Sequence, residues 1–169
     1  SSVQAPLNVV ALDSTQQLPK GQRIRVHTDT LNVEIDTMGG DIRLLELRKH
    51  RSDEDKGKNF VLLSDQKPNT YIAQSGLIGD VLPNHKTLFS SQGTEFSMEA
   101  GAKNLKVKLS APAAASVQVD KIFTFHRGSY VVDVEYQIRN GGGSSISPHA
   151  YYQLVRDDSA SKGDSMFIS

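Results

Sequence analysis

The chain has 169 residues, with nineteen basic and nineteen acidic side chains and a formal net charge of zero, so no broad electropositive face of the kind that holds nucleic acid is implied. It contains no cysteine, which excludes disulfide bridges, a thiolate nucleophile and thiolate metal sites and leaves the redox compartment open. No apolar run approaches the roughly 20 residues of a membrane-crossing helix, and the start lacks the basic and apolar regions of a signal peptide. As given, the chain reads as a soluble piece, long enough for one domain or for part of a larger one.

Residues 1–21 are rich in Ser, Gln, Thr, Asn and Pro around one apolar patch, Val9-Val10-Ala11-Leu12, and read as an N-terminal linker. From Arg23 the pattern has a period of two. Ile24 and Val26, then Leu31, Val33 and Ile35, alternate with polar residues as half-buried strands do. The alternation breaks at Met38-Gly39-Gly40-Asp41 and resumes in Ile42 to Leu47, where the adjacent pair Leu44-Leu45 shifts the apolar side and predicts a bulge. A charged loop, His50 to Asn59, leads to a short strand at Phe60 to Leu63. Further strands are expected at Thr70 to Gln74, Lys86 to Ser90, Glu95 to Met98 and Leu105 to Leu109.

The clearest hairpin is VQVDKIFTFHRGSYVVDVEYQIRN. Val117, Val119, Phe123 and Phe125 share one parity, as do Tyr130, Val132, Val134, Tyr136 and Ile138 on the return, with the turn at His126 to Ser129. Phe123, Phe125, Tyr130 and Tyr136 read as core or cross-strand aromatics. After Asn140-Gly141-Gly142-Gly143-Ser144-Ser145, a strand from Ile146 to Val155 puts Tyr151 and Tyr152 on opposite faces, so one ring is expected at an uncovered surface. No stretch has the spacing of a long amphipathic helix. The fold class is all-β, a largely antiparallel sandwich.

The chemistry-bearing motifs are sparse. A phosphate-cradling loop needs backbone N–H groups converging at a helix start, as in GxGxxG or GxxxxGK, and neither occurs; Gly39-Gly40 reads as a tight turn and Gly141 to Gly143 as a strand connection. The five histidines, His27, His50, His85, His126 and His149, show no metal-ligand spacing. There is no GxSxG elbow, and the acids Asp53 to Asp55 and Asp157-Asp158 are expected in exposed loops. No catalytic, cofactor-binding or metal-ligating residue is assigned.

Four segments carry a resemblance: VEIDTMGGDI, QSGLIGD at Gln74 to Asp80, FTFHRGSYVVDVEYQIRN, and YYQLVRD at Tyr151 to Asp157. Their order and spacing resemble the periplasmic domain of the bacterial membrane protein insertase YidC, of the YidC/Oxa/Alb family. The resemblance implies an extended β-sandwich, or supersandwich, of the galactose-mutarotase-like kind, of which residues 22–169 form an incomplete N-terminal portion because relatives continue beyond Ser169 with more strands. It implies a place on the periplasmic face of the inner membrane, in a multi-pass protein whose insertion machinery lies in a membrane region outside this chain. The implied role is that of a non-enzymatic interaction or accessory module of an insertase and chaperone, beside the Sec translocon. SecD and SecF are the suspected partners, and nascent inner-membrane proteins are clients of the full-length protein. The alternative from a different class is a carbohydrate- or peptide-binding module. The histidine and acid pair that sugar-converting enzymes of that fold use has no counterpart motif here, and shared fold does not transfer activity.

Overall fold

The computed structural model describes residues 7–13 and 15–157, and every regular element among them is a β-strand. In chain order these are β1 (Leu7–Leu12), β2 (Arg23–His27), β3 (Leu31–Asp36), β4 (Asp41–Arg51), β5 (Asn59–Ser64), β6 (Tyr71–Ile78), β7 (Ser90–Ser91), β8 (Glu95–Ser97), β9 (Asn104–Ser110), β10 (Val117–His126), β11 (Val132–Asn140) and β12 (His149–Asp157). They form an eight-stranded sheet in the order β1-β12-β6-β5-β4-β3-β2-β8 and a four-stranded sheet in the order β11-β10-β9-β7. The two sheets make an all-β, sandwich-like arrangement with one apolar core between them.

The alternation read from the sequence builds that core. Ile24, Val26, Leu31, Val33 and Ile35 from the large sheet meet Val107, Leu109, Val119, Phe123 and Phe125 from the small one, all almost fully buried. The expected bulge is present one residue upstream of the leucine pair. Glu34 pairs with Leu44 and Ile35 with Ile42, which leaves Arg43 as the extra residue. The parity change follows from it: Ile42 and Leu45, three apart, both enter the core.

Several elements differ from expectation. Within the stretch read as a linker, Leu7–Leu12 forms β1 and pairs in parallel with β12, and β2 and β8 are a second parallel pair. β4 runs on to Arg51, into the expected charged loop. The segment expected as a strand from Lys86 to Ser90 becomes a flank of the β3–β4 turn, because Gly39 N–H donates to Thr87 O at 2.7 Å and Phe89 N–H to Thr37 O at 2.8 Å. Tyr130 leaves the β10–β11 ladder and is 44% exposed, its hydroxyl 3.0 Å from His50 Nε2. Neither Tyr151 nor Tyr152 is left at an open surface: both are half-buried, Tyr151 against His85 and Tyr152 against β11. Asp157 is a buried residue of β12, whose backbone N–H donates to Thr70 O, whereas Asp158 lies outside the described residues.

The Met38 to Asp41 turn connects β3 and β4 as expected, with Gly39 and Gly40 at φ +77° and +62°. A Cβ on Gly39 would lie 2.3 Å from the His85 carbonyl oxygen, a backbone atom that cannot swing aside. Gly39→Ala is therefore expected to cost about 2 kcal/mol of stability, combining left-handed strain with the clash. Urea denaturation reads it as a lower midpoint at unchanged slope, and an unchanged midpoint would contradict this view of the turn.

Candidate functional site

The residues with the most unusual surroundings lie inside the sandwich. Lys121 sits in β10 on the same parity as Val119 and Phe123, so its side chain must enter the core. It is 1% exposed. Its Nζ crosses to the other sheet and donates to Gly40 O at 2.9 Å and Gly39 O at 3.1 Å, with Ser75 O at 3.5 Å. The rings of Phe123, Tyr136 and Phe89 surround it with centroids 5.4, 5.6 and 6.0 Å from Nζ, within the range of cation–π attraction. Burial pulls its pKa down to about 7, against the opposing pull of Asp41. Gly40 makes the approach possible: a Cβ there would meet Lys121 Cδ at 3.0 Å. The tight turn thus does more than reverse the chain, since its two carbonyls dock the β3–β4 connection onto the facing sheet.

A second buried group runs across the large sheet. Asp41 Oδ2 accepts from Arg43 Nη2 at 3.0 Å and from Gln74 Nε2 at 3.0 Å, and Gln74 Oε1 accepts from Gln153 Nε2 at 2.7 Å. Arg43 Nη1 lies 3.6 Å from Asp36 Oδ2, which is also 3.6 Å from Arg23 Nη2, and Arg23 Nη2 pairs with Asp65 Oδ2 at 2.6 Å. Asp36 Oδ1 accepts from the backbone N–H groups of Gly21 and Met38 at 2.7 and 2.8 Å. Charges of alternating sign therefore tie β4, β3 and β2 together, and the amides of Gln74 and Gln153 extend the group to β6 and β12. Burial holds the Asp41 carboxyl above the ordinary carboxylate range, with Arg43 and Gln74 pulling the other way.

These buried ionisable groups are what sequence reasoning missed. The available signal was a lysine at the inward parity of β10, between Val119 and Phe123, and a charged Asp41-Ile42-Arg43 beside the glycine turn. The histidines, by contrast, stand apart. His27 Nδ1 is 3.0 Å from Asn32 Oδ1, His126 Nε2 is 2.6 Å from Asp133 Oδ2, His85 Nδ1 is 2.6 Å from the Tyr151 hydroxyl, and His149 begins β12. Among the described residues no group of three or more His, Cys, Asp or Glu is placed to hold a metal ion.

Shallow pockets open on the surface of the described residues, two of them beside the large sheet. One of about 910 Å³ lies on the outer side of the large sheet and is lined by residues including Leu18, Pro19, Arg23, Glu34, Asp65 and Thr70, with no aromatic ring. This pocket therefore lacks the aromatic walls common in small-molecule sites. The other, about 610 Å³, runs beside β5 between Phe60, Val61 and Tyr71 and the acids Asp53 and Glu54. Neither pocket reaches Lys121, Asp41 or Arg43.

The sequence is similar to known proteins. The family model of the YidC periplasmic domain matches residues 23–169. A membrane protein insertase YidC of Methylobacillus flagellatus is 46% identical over 151 residues, 89% of this chain and 27% of that protein. One from Nitrosospira multiformis is 48% identical over 141 residues, 83% of this chain and 25% of that protein. One from Aromatoleum aromaticum is 50% identical over 135 residues, 80% of this chain and 24% of that protein. The chain thus spans about a quarter of the length of these curated relatives, and it belongs to the YidC periplasmic domain family.

Proposed function

We propose that residues 22–169 are the N-terminal portion of a periplasmic β-sandwich that acts as a non-enzymatic interaction or accessory module of a multi-pass membrane protein insertase, at the periplasmic face of the inner membrane. The full protein would insert and help fold nascent inner-membrane proteins beside the Sec translocon, with this portion offering surface to SecD or SecF. The extended sandwich of the galactose-mutarotase-like kind is the fold that this portion would belong to. One observation carries the non-enzymatic part. Buried groups with shifted pKa values, Lys121, Tyr136 and Asp41, are taken up in contacts that hold sheets and turns together and line neither of these pockets, whereas a catalytic acid or base needs access to a substrate.

The partner part is tested by titrating the purified chain against the periplasmic part of SecF over a salt series. Binding that persists at high salt supports an apolar contact of the accessory kind. No binding at low or high salt overturns SecF as the partner and favours a passive spacer.

A further inference from the structure

The connection from β6 to β7, residues 79–89, is tied to three other parts of the fold. Leu77 N–H of β6 donates to Pro83 O at 2.9 Å, and Gly39 N–H of the β3–β4 turn donates to Thr87 O at 2.7 Å. The third tie runs to β12, where the Tyr151 hydroxyl meets His85 twice. It accepts from the His85 backbone N–H at 3.0 Å and stands 2.6 Å from His85 Nδ1. A Cβ on Gly76 would lie 2.4 Å from Tyr151 Oη and 2.8 Å from Asn84 Cα, so hydroxyl and connection both rest on the bare backbone of β6. Of the three ties, only the one to Tyr151 runs through a side chain that exchanges a proton near neutrality.

The protons at Tyr151 fix the state of His85. A phenol oxygen has one proton to donate and accepts through its lone pairs, and burial holds the Tyr151 pKa above its ordinary value, so the phenol keeps that proton. Among the described residues Tyr151 Oη has no hydrogen-bond partner other than His85, and its proton therefore lies on the short line to Nδ1. Nδ1 is then the bare, accepting nitrogen, and the ring proton sits on Nε2. A second ring proton would turn Nδ1 into a donor facing the phenol's own proton, which would have to leave a half-buried contact for solvent. The surroundings oppose it as well. Partial burial disfavours a cation at His85, and Lys86 on the same connection and Lys121 from β10 repel it, so its pKa lies below the ordinary 6.5. No carboxylate offsets them: β6 carries none, and Asp41 beside the β3–β4 turn is already held by Arg43 and Gln74.

We propose that the His85–Tyr151 contact is an acid-sensitive latch, which clips residues 83–87 onto β12 while His85 is neutral and releases them when it is protonated. The Pro83 and Thr87 ties flank the latch on either side and weaken with it. Leu77 and Leu82, buried against the core, lie next to Ile78 and Val81, which are already exposed, so release widens an apolar patch at this end of the sandwich. Acidity is thereby coupled to the surface that the module shows, whichever partner it meets.

Nitrogen-15 NMR of the 169-residue chain tests the latch. At about pH 7.5 the His85 ring is expected to be the neutral Nε2–H tautomer. An Nδ1–H tautomer, a charged ring at that pH, or a titration midpoint at or above 6.5 would overturn the proposal. Toward acid, amide exchange at His85 and Leu77 is followed, corrected for its intrinsic pH dependence and referred to Val119 and Phe123 in β10. It is expected to accelerate in step with the His85 titration, by about tenfold for each pH unit by which the midpoint lies below the ordinary value, the limit for a group that regains that value on release. In Tyr151→Phe the same amides should exchange fast throughout, with no such acceleration. Lys121 also titrates, so an acceleration equal in wild type and Tyr151→Phe would overturn the latch in favour of Lys121. No acceleration in wild type would overturn it outright. The tautomer and midpoint need only the wild-type chain and stay decisive if Tyr151→Phe fails to fold.

Discussion

Replacing Lys121 with alanine is expected to lower the unfolding free energy by about 3 kcal/mol at neutral pH, measured by urea denaturation. Two losses add. The carbonyls of Gly39 and Gly40 lose their donor in the interior, and the vacated stem leaves a cavity between Phe89, Phe123 and Tyr136. Relief of the lysine's own desolvation offsets part of this, which keeps the figure below the usual cost of breaking a buried ion pair. Lys121→Met keeps most of the stem volume and removes only the charge and donor, so its deficit is expected to be smaller, about 1 kcal/mol. Equal deficits for the two variants would mean that packing contributes nothing, contrary to the ring geometry.

Arg43→Ala is expected to cost more, about 4 kcal/mol, because it takes the shared cation from two buried carboxylates, leaving Asp41 without its ion-pair partner and Asp36 with Arg23 alone. Its pH dependence identifies the cause. Burial already raises the Asp41 pKa, and loss of Arg43 removes the largest opposing influence, so the folded variant takes up a proton more readily than the unfolded chain does. A folded pKa above the unfolded value means that stability is gained as pH falls through the folded pKa, and the deficit relative to wild type should shrink toward acid. A deficit independent of pH would assign the loss to packing around the guanidinium instead.

Much of the sandwich was legible because its strands are half-buried and alternate. Ile24 to Ile35 and Val117 to Ile138 show their inward faces directly, and the leucine pair announced a bulge that the structure places at Arg43. What escaped depends on contacts distant in sequence. β1 is made a strand by β12, some 145 positions away, which no local pattern in Leu7 to Leu12 reveals. Tyr130 has the parity of a core residue, yet the connection from β10 carries it out of the ladder to His50. Lys121 was hidden for the opposite reason: its parity was right for the core and its chemistry was wrong, and only the two glycine carbonyls from the facing sheet reconcile them. The glycines, readable as a turn, could not be read as acceptors.

The central claim is that a lysine buried between the sheets, its amine donating to the turn's carbonyls, docks the β3–β4 turn as part of a scaffold, and stability against pH tests it most directly. The folded Lys121 pKa of about 7 lies below the ordinary 10.5, so between these values the unfolded chain binds the extra proton and stability must rise with pH. The gain is about 1.4 kcal/mol per pH unit, or roughly 2 to 3 kcal/mol over two units above neutrality. Other groups also face this interior. Tyr136 is held above its ordinary value by burial, as are Tyr151 and Tyr152, and these act against stability only toward pH 10 and beyond, while Asp41 has its effect toward acid. Unfolding free energies of wild type and Lys121→Met, measured side by side from about pH 7 to about pH 9, cancel those contributions. The wild-type curve is predicted to rise relative to the variant across that range; two parallel curves would contradict the account.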